Sequence, residues 1–156
     1  MSMEIGEGLI FTGLGWRGWG LEESMYKNEV FVRFVITGDT LTPDEITKIL
    51  NKVPTKSWKK DTPKNNHPTL TYKYNKWEIF IKSENIYHTD TLLNELFLQL
   101  LPIKENIALL KNITKTISLV IYKKELMPSI NYNSKIISFL HDLDVTLDID
   151  VIEVSK

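Results

Sequence analysis

Residues 29–54 read EVFVRFVITGDTLTPDEITKILNKVP, and a change of period inside this stretch decides the fold. Its first part, EVFVRFVI at 29–36, is dense in β-branched and aromatic side chains and ends at Thr37-Gly38-Asp39, which predicts a largely buried strand. Thr42 then stands where a helix cap is wanted. Pro43 suits the first helical position, Glu45 can bond back to complete a capping box, and Leu41 with Ile46 forms a hydrophobic staple. A helix starting at Pro43 follows. Its Ile46, Ile49, Leu50 and Val53 recur at helical spacing until Pro54 stops it.

Working outward, residues 69–74 and 77–82 read as strands, with Trp77, Ile79 and Ile81 on one face. They form either a hairpin turning at Asn75-Lys76 or one bent strand. Asp90 or Thr91 is placed to cap a helix carrying Leu92, Leu93, Leu96, Phe97, Leu100 and Leu101, and Pro102 kinks it or begins another turn that continues through Ile103, Ile107 and Leu110. TISLVIY at 116–122 makes a strand, and residues 134–141 make a helix with Ile136, Ile137 and Leu140 inward. In the last strand, 144–152, Val145, Leu147, Ile149 and Val151 alternate with Asp144, Thr146, Asp148 and Asp150, so one face is buried and the other wet. Such alternation suits an antiparallel or mixed sheet with helices on one side. The order strand, helix, two strands, helix, strand, helix, strand predicts an α+β fold: a two-layer ferredoxin-like sandwich with a mostly antiparallel sheet.

Laid out in this way, residues 29 to about 150 resemble the bacterial family known as domain of unknown function 4279. VFVRFVITGDTLTPDEITKIL, then VPTKSWKKD, NKWEIFIKS, a long leucine-rich helix and a closing VTLDIDV carry the resemblance. Where that family has Lys-Gly-Asp, this chain has Lys59-Lys60-Asp61. The resemblance implies the fold and no activity.

Composition bounds the function. A chain of 156 residues is most simply one globular domain, and 42% hydrophobic with 25% charged residues suits a folded chain. Six of the seven glycines lie in the first twenty residues, so residues 1–27 read as a Gly/Trp-rich N-terminal arm and 28–156 as a single α+β domain. No apolar run approaches the roughly 18 residues that cross a bilayer, and no secretory leader is legible, so a cytoplasmic location is expected. With zero cysteines, disulfides and thiolate chemistry are excluded. A net charge of −1 argues against a duplex nucleic-acid binder. The charge is nevertheless uneven. Lys52, Lys56, Lys59, Lys60 and Lys64 face only Asp61, whereas Asp142, Asp144, Asp148, Asp150 and Glu153 face only Lys156, and this complementarity allows a homo-oligomer.

TGLGWRGWG at 12–20 contains a literal G-x-G-x-x-G in Gly13, Gly15 and Gly18. A dinucleotide site needs a crossover helix after it and an acid ending a second strand. Neither fits before the strand at Glu29. The stretch is better read as a short strand near Leu9–Thr12 leading into a hairpin or exposed arm, its Trp16 and Trp19 docking on the body or on a partner.

PTKSWKKDTP offers a different chemistry, because an aromatic face beside ammonium groups can stack on a ring while neutralising an anion. Trp16, Arg17, Trp19, Lys56, Trp58, Lys59 and Lys60 are therefore the candidate ligand-binding residues. Alternatively, Trp58 packs over the sheet end and the lysines stay solvated. Along a strand Asp148 and Asp150 lie about 7 Å apart and Asp144 and Asp148 about 13 Å, too far for the three to converge on one metal, and they read as a solvated edge that resists aggregation. His67, His88 and His141 sit on separate elements without metal-ligand spacing, and no Gly-x-Ser-x-Gly elbow is present. No catalytic residue, metal or cofactor is expected. The expectation is a non-enzymatic interaction protein, of immunity or anti-defence type, that binds a partner protein through its aromatics or its acidic strand. The alternative is a small-ligand binder or sponge that sequesters a nucleotide-like anion between the Trp/Arg and Trp/Lys segments. Lysine-, asparagine- and isoleucine-rich usage suggests an AT-rich bacterial or phage genome.

Overall fold

The computed structural model describes residues 27–155, so the short strand read near Leu9–Thr12 lies outside the described residues, and the first described strand is the one read over 29–36. That strand, β1, runs Asn28–Gly38, and the capping box follows it as expected. Helix α1 spans Pro43–Leu50, with the Thr42 hydroxyl accepting from the Glu45 N–H at 3.3 Å and a Glu45 carboxylate oxygen accepting from the Thr42 N–H at 2.8 Å. It ends earlier than the apolar spacing suggests. Asn51 takes the left-handed conformation (φ 52°) that closes the helix, so Val53 lies outside it, 80% exposed.

Three short strands come next: β2 at Lys56–Trp58, β3 at Pro63–Lys64 and β4 at His67–Thr71. Residues 56–58, which carry no strand signal of their own, form a strand because their backbone extends the edge of β5 (Asn75–Glu84). Residues 69–82 form neither the hairpin nor the bent strand expected. β4 pairs with β3 in a separate two-stranded sheet, and Asn75-Lys76 already belongs to β5.

Helix α2 is Thr89–Leu100, and here the capping expectation fails. Its N-cap is His88, without a side-chain cap bond, while the Thr89 hydroxyl donates instead to the Ser129 carbonyl at 2.8 Å. Pro102 begins a 3-10 turn over Leu101–Ile103, and α3 continues at Lys104–Leu109, with Ile103 and Ile107 buried as predicted. β6 is Thr114–Lys123, α4 is Ser134–Leu143 and β7 is Thr146–Glu153. On α4, Ile136 and Leu143 are buried whereas Ile137 is 58% exposed, so the inward stripe is narrower than read.

The five-stranded sheet has the order β2-β5-β1-β6-β7, antiparallel at three junctions and parallel between β6 and β7. The fold is thus α+β with a mixed sheet. Register sorts the side chains by face: Val32 lies opposite Ile81 and Leu119, and Phe34 opposite Ile79 and Ile117. These residues join Ile46 and Leu50 of α1, Leu93, Leu96 and Leu100 of α2, Ile107 of α3 and Ile136 of α4 in one apolar cluster. Each such side chain contributes about 1.5–3 kcal/mol of burial free energy. The cluster takes no residue from the other face, where Phe31, Arg33, Val35, Glu78, Phe80 and Val120 are arrayed. Among the described residues, no helix is long and apolar enough to cross a membrane.

Candidate functional site

β2 pairs with β5 so that Lys56 lies opposite Glu78 and Trp58 opposite Lys76, all on the face turned away from the helices. The strand is anchored where the Thr55 N–H donates to the Glu78 carbonyl (2.8 Å) and the Thr55 hydroxyl accepts from the Phe80 N–H (3.2 Å). Beyond Trp58 the chain turns back on itself. The Thr62 hydroxyl donates to the Lys59 carbonyl at 2.6 Å, and Asp61, not Lys60, adopts the left-handed conformation (φ 63°). The turn is thus made at Asp61, a residue type that tolerates the left-handed conformation.

Two backbone bonds then fix Tyr72 beside this turn: Asp61 N–H to the Tyr72 carbonyl at 2.8 Å, and Tyr72 N–H to the Thr62 carbonyl at 3.0 Å. The consequence is an aromatic stack. The Trp58 and Tyr72 rings lie 4.6 Å apart, 13° from parallel. Lys76 Nζ stands 4.5 Å from the Trp58 centroid, Lys56 Nζ 5.7 Å, and Lys64 Nζ 5.8 Å from the Tyr72 centroid. Tyr72 stacks on the indole and the ammonium of Lys76 lies against the same ring, an attraction worth about 0.5–2 kcal/mol. Lys76 is held in turn by Glu78, whose Oε2 lies 2.6 Å from Nζ but off the hydrogen-bonding direction, in a residue only 2% exposed.

The expected site residues are thus divided. Lys56 and Trp58 share the platform, but Lys60 turns away to pair with Asp39 at 3.3 Å, and its N–H donates to Asn75 Oδ1 at 2.8 Å. Lys59 acts toward α1, where its charge helps the stronger hydrogen bonds from Thr42 to hold the Glu45 carboxyl below its usual range. Trp16, Arg17 and Trp19 lie outside the described residues. Sequence reasoning missed Tyr72, Lys64 and Lys76. Lys76 was readable from alternation against Trp77, whereas Tyr72 reaches Trp58 only through the turn's backbone bonds.

The acidic strand forms the opposite edge of the sheet. Asp144 is the left-handed C-cap of α4 and so leaves the strand's face, while Glu153 accepts a hydrogen bond from Lys123 Nζ at 2.9 Å, which holds its carboxyl below the usual range. No three His, Asp or Glu side chains come together as a metal site among the described residues. A cavity of about 370 Å³ opens at the far end of the strands from Trp58, between Asn28, Glu84 and Tyr122. No curated protein and no solved structure matches the chain significantly. The model of the family described as "Domain of unknown function (DUF4279)" matches residues 28–153, from the first residue of β1 to the last of β7, and the chain belongs to that family.

Proposed function

We propose that the protein acts without catalysis, by binding a partner protein, in the manner of an immunity or anti-defence factor. The observation that carries this reading is the filled indole of Trp58. With Tyr72 stacked at 4.6 Å and Lys76 Nζ 4.5 Å from its centroid, the ring is already engaged by the chain's own groups rather than held open as a slot for a base or other flat ligand. What the cluster offers instead is a preassembled aromatic surface set with the ammonium groups of Lys56 and Lys64, a combination suited to an acidic protein surface, where rigid aromatics and buried cations anchor binding. The order β2-β5-β1-β6, with α1 and the α2–α3 segment as its crossovers, supports the ferredoxin-like reading, with α4 and β7 as an extension of it.

The test is a comparison of two ligand classes on the intact chain. Millimolar ATP and cyclic nucleotides leave the thermal midpoint unchanged, while a protein partner captured from a cognate lysate is lost with Trp58→Ala. A nucleotide-induced rise in midpoint that Trp58→Ala abolishes would instead establish the sponge reading, because a ligand that binds only the native state must stabilise it.

A further inference from the structure

β7 ends the sheet, and among the described residues nothing pairs with its outer edge. Seven of its eight residues are exposed, and Ile149, Val151 and Ile152 are 38%, 48% and 41% exposed. An edge of this length normally carries a proline, a bulge or an inward charge that blocks pairing. This one carries no proline, and its register with β6 is unbroken from Thr146 to Glu153.

The direction of its backbone groups follows from the parallel ladder. Val154 N–H donates to the Lys123 carbonyl at 2.8 Å, which sets the phase: Thr146, Asp148, Asp150 and Ile152 turn their backbone groups toward β6. Leu147, Ile149 and Val151 therefore present N–H and C=O outward. Their side chains lie on the helix-covered face, while Asp148 and Asp150 lie on the other, and no described cation pairs with either carboxylate.

We propose that the outer edge of β7 is a strand-addition site for an extended partner segment whose side chains alternate between basic and apolar. Main-chain bonds to Ile149 and Val151 supply the attachment, and the alternation supplies the selectivity, with lysine or arginine beside Asp148 and Asp150 and apolar groups beside Ile149 and Val151. A second copy of this chain does not fit. Antiparallel β7–β7 pairing centred on Ile149 sets Asp148 of each copy against Asp150 of the other, four carboxylates on one face, and like charges directly opposite destabilise a sheet. The acids that prevent self-pairing thus select the partner. This surface is at the opposite edge of the sheet from Trp58, so each test can fail without the other.

The probe is a blocked hexapeptide of alternating lysine and valine, titrated into the full chain and followed by amide hydrogen exchange. The Ile149 and Val151 amides slow in exchange, binding weakens at least threefold in Asp148→Asn/Asp150→Asn, and a glutamate–valine hexapeptide gives no protection. Because both aspartates are exposed, the double variant keeps the fold, and the wild-type exchange measurement stands without it. The proposal is overturned by any of three results: unaltered exchange at millimolar lysine peptide, equal protection by the glutamate peptide, or a β7-dependent dimer in sedimentation.

Discussion

Trp77 donates its indole N–H to the Thr47 hydroxyl at 3.0 Å from a side chain with no solvent exposure, joining the start of β5 to α1. The ring also meets Phe34 edge-on at 6.3 Å, so the residue is at once core filler and polar clasp. Thr47→Val keeps the shape and removes the acceptor, leaving a buried donor unpaired, which costs about 1–3 kcal/mol. Urea unfolding reads the loss directly. A midpoint equal to wild type would mean that the indole N–H finds another acceptor.

The same helix depends on its cap. Thr42→Ala removes the hydroxyl that accepts from the Glu45 N–H and donates to the Glu45 carboxylate, a change expected to cost about 0.5–2 kcal/mol. Because Pro43 already presets the first helical residue, the change lowers stability without altering the fold. Circular dichroism that matches wild type at 25 °C, together with a lower thermal midpoint, is the expected pair of results.

Acid should reveal the bond that closes the end of β7. The Lys123 ammonium beside Glu153 favours its ionised form, so the native carboxyl titrates below its unfolded value of 4.5. A depressed carboxyl stabilises the fold above the unfolded value and loses that contribution as pH falls through the native one. Wild type and Glu153→Gln should therefore differ by a constant small amount from neutrality down to about pH 5.5 and converge in more acidic solution. Parallel urea midpoints across pH 3–7 check this, and a gap that widens toward acid would contradict it.

The fold was legible where local chemistry and burial agree. The Thr42-Pro43-Glu45 box announces α1, and the Trp77-Ile79-Ile81 alternation announces β5, because each pattern matches the environment it enters. Local signals failed where tertiary contacts override them. Asp90 and Thr91 look like caps for α2, yet Thr89 is drawn to the Ser129 carbonyl across the fold, and the helix begins without a side-chain cap. The site was half legible for the same reason. Lys56 and Trp58 are two residues apart on one strand, but the ring that completes the platform arrives from Tyr72 through bonds to Asp61 and Thr62 that no periodicity encodes. The buried amide of Asn75, bridging the Lys60 N–H and the Leu41 carbonyl, is equally silent in sequence.

That stack yields the sharpest test of the proposal that Trp58 offers no slot. Removing the phenol in Tyr72→Ala uncovers one face of the indole while leaving Lys56 and Lys76 within 6 Å of it. The lost stacking costs about 0.5–1.5 kcal/mol beyond the area exposed, so the variant should still fold. Acrylamide then quenches tryptophan fluorescence more strongly than in wild type. Millimolar ATP, for which no effect on wild type is expected, should raise the variant's thermal midpoint, because a base can stack where Tyr72 stood and the neighbouring ammonium groups can meet its phosphates. Raising salt to 0.5 M should erase that gain, since the phosphate contacts are exposed and screened. A wild-type midpoint that rises with ATP as much as the variant's would show that Tyr72 does not close the indole, and partner binding would lose the observation on which it rests.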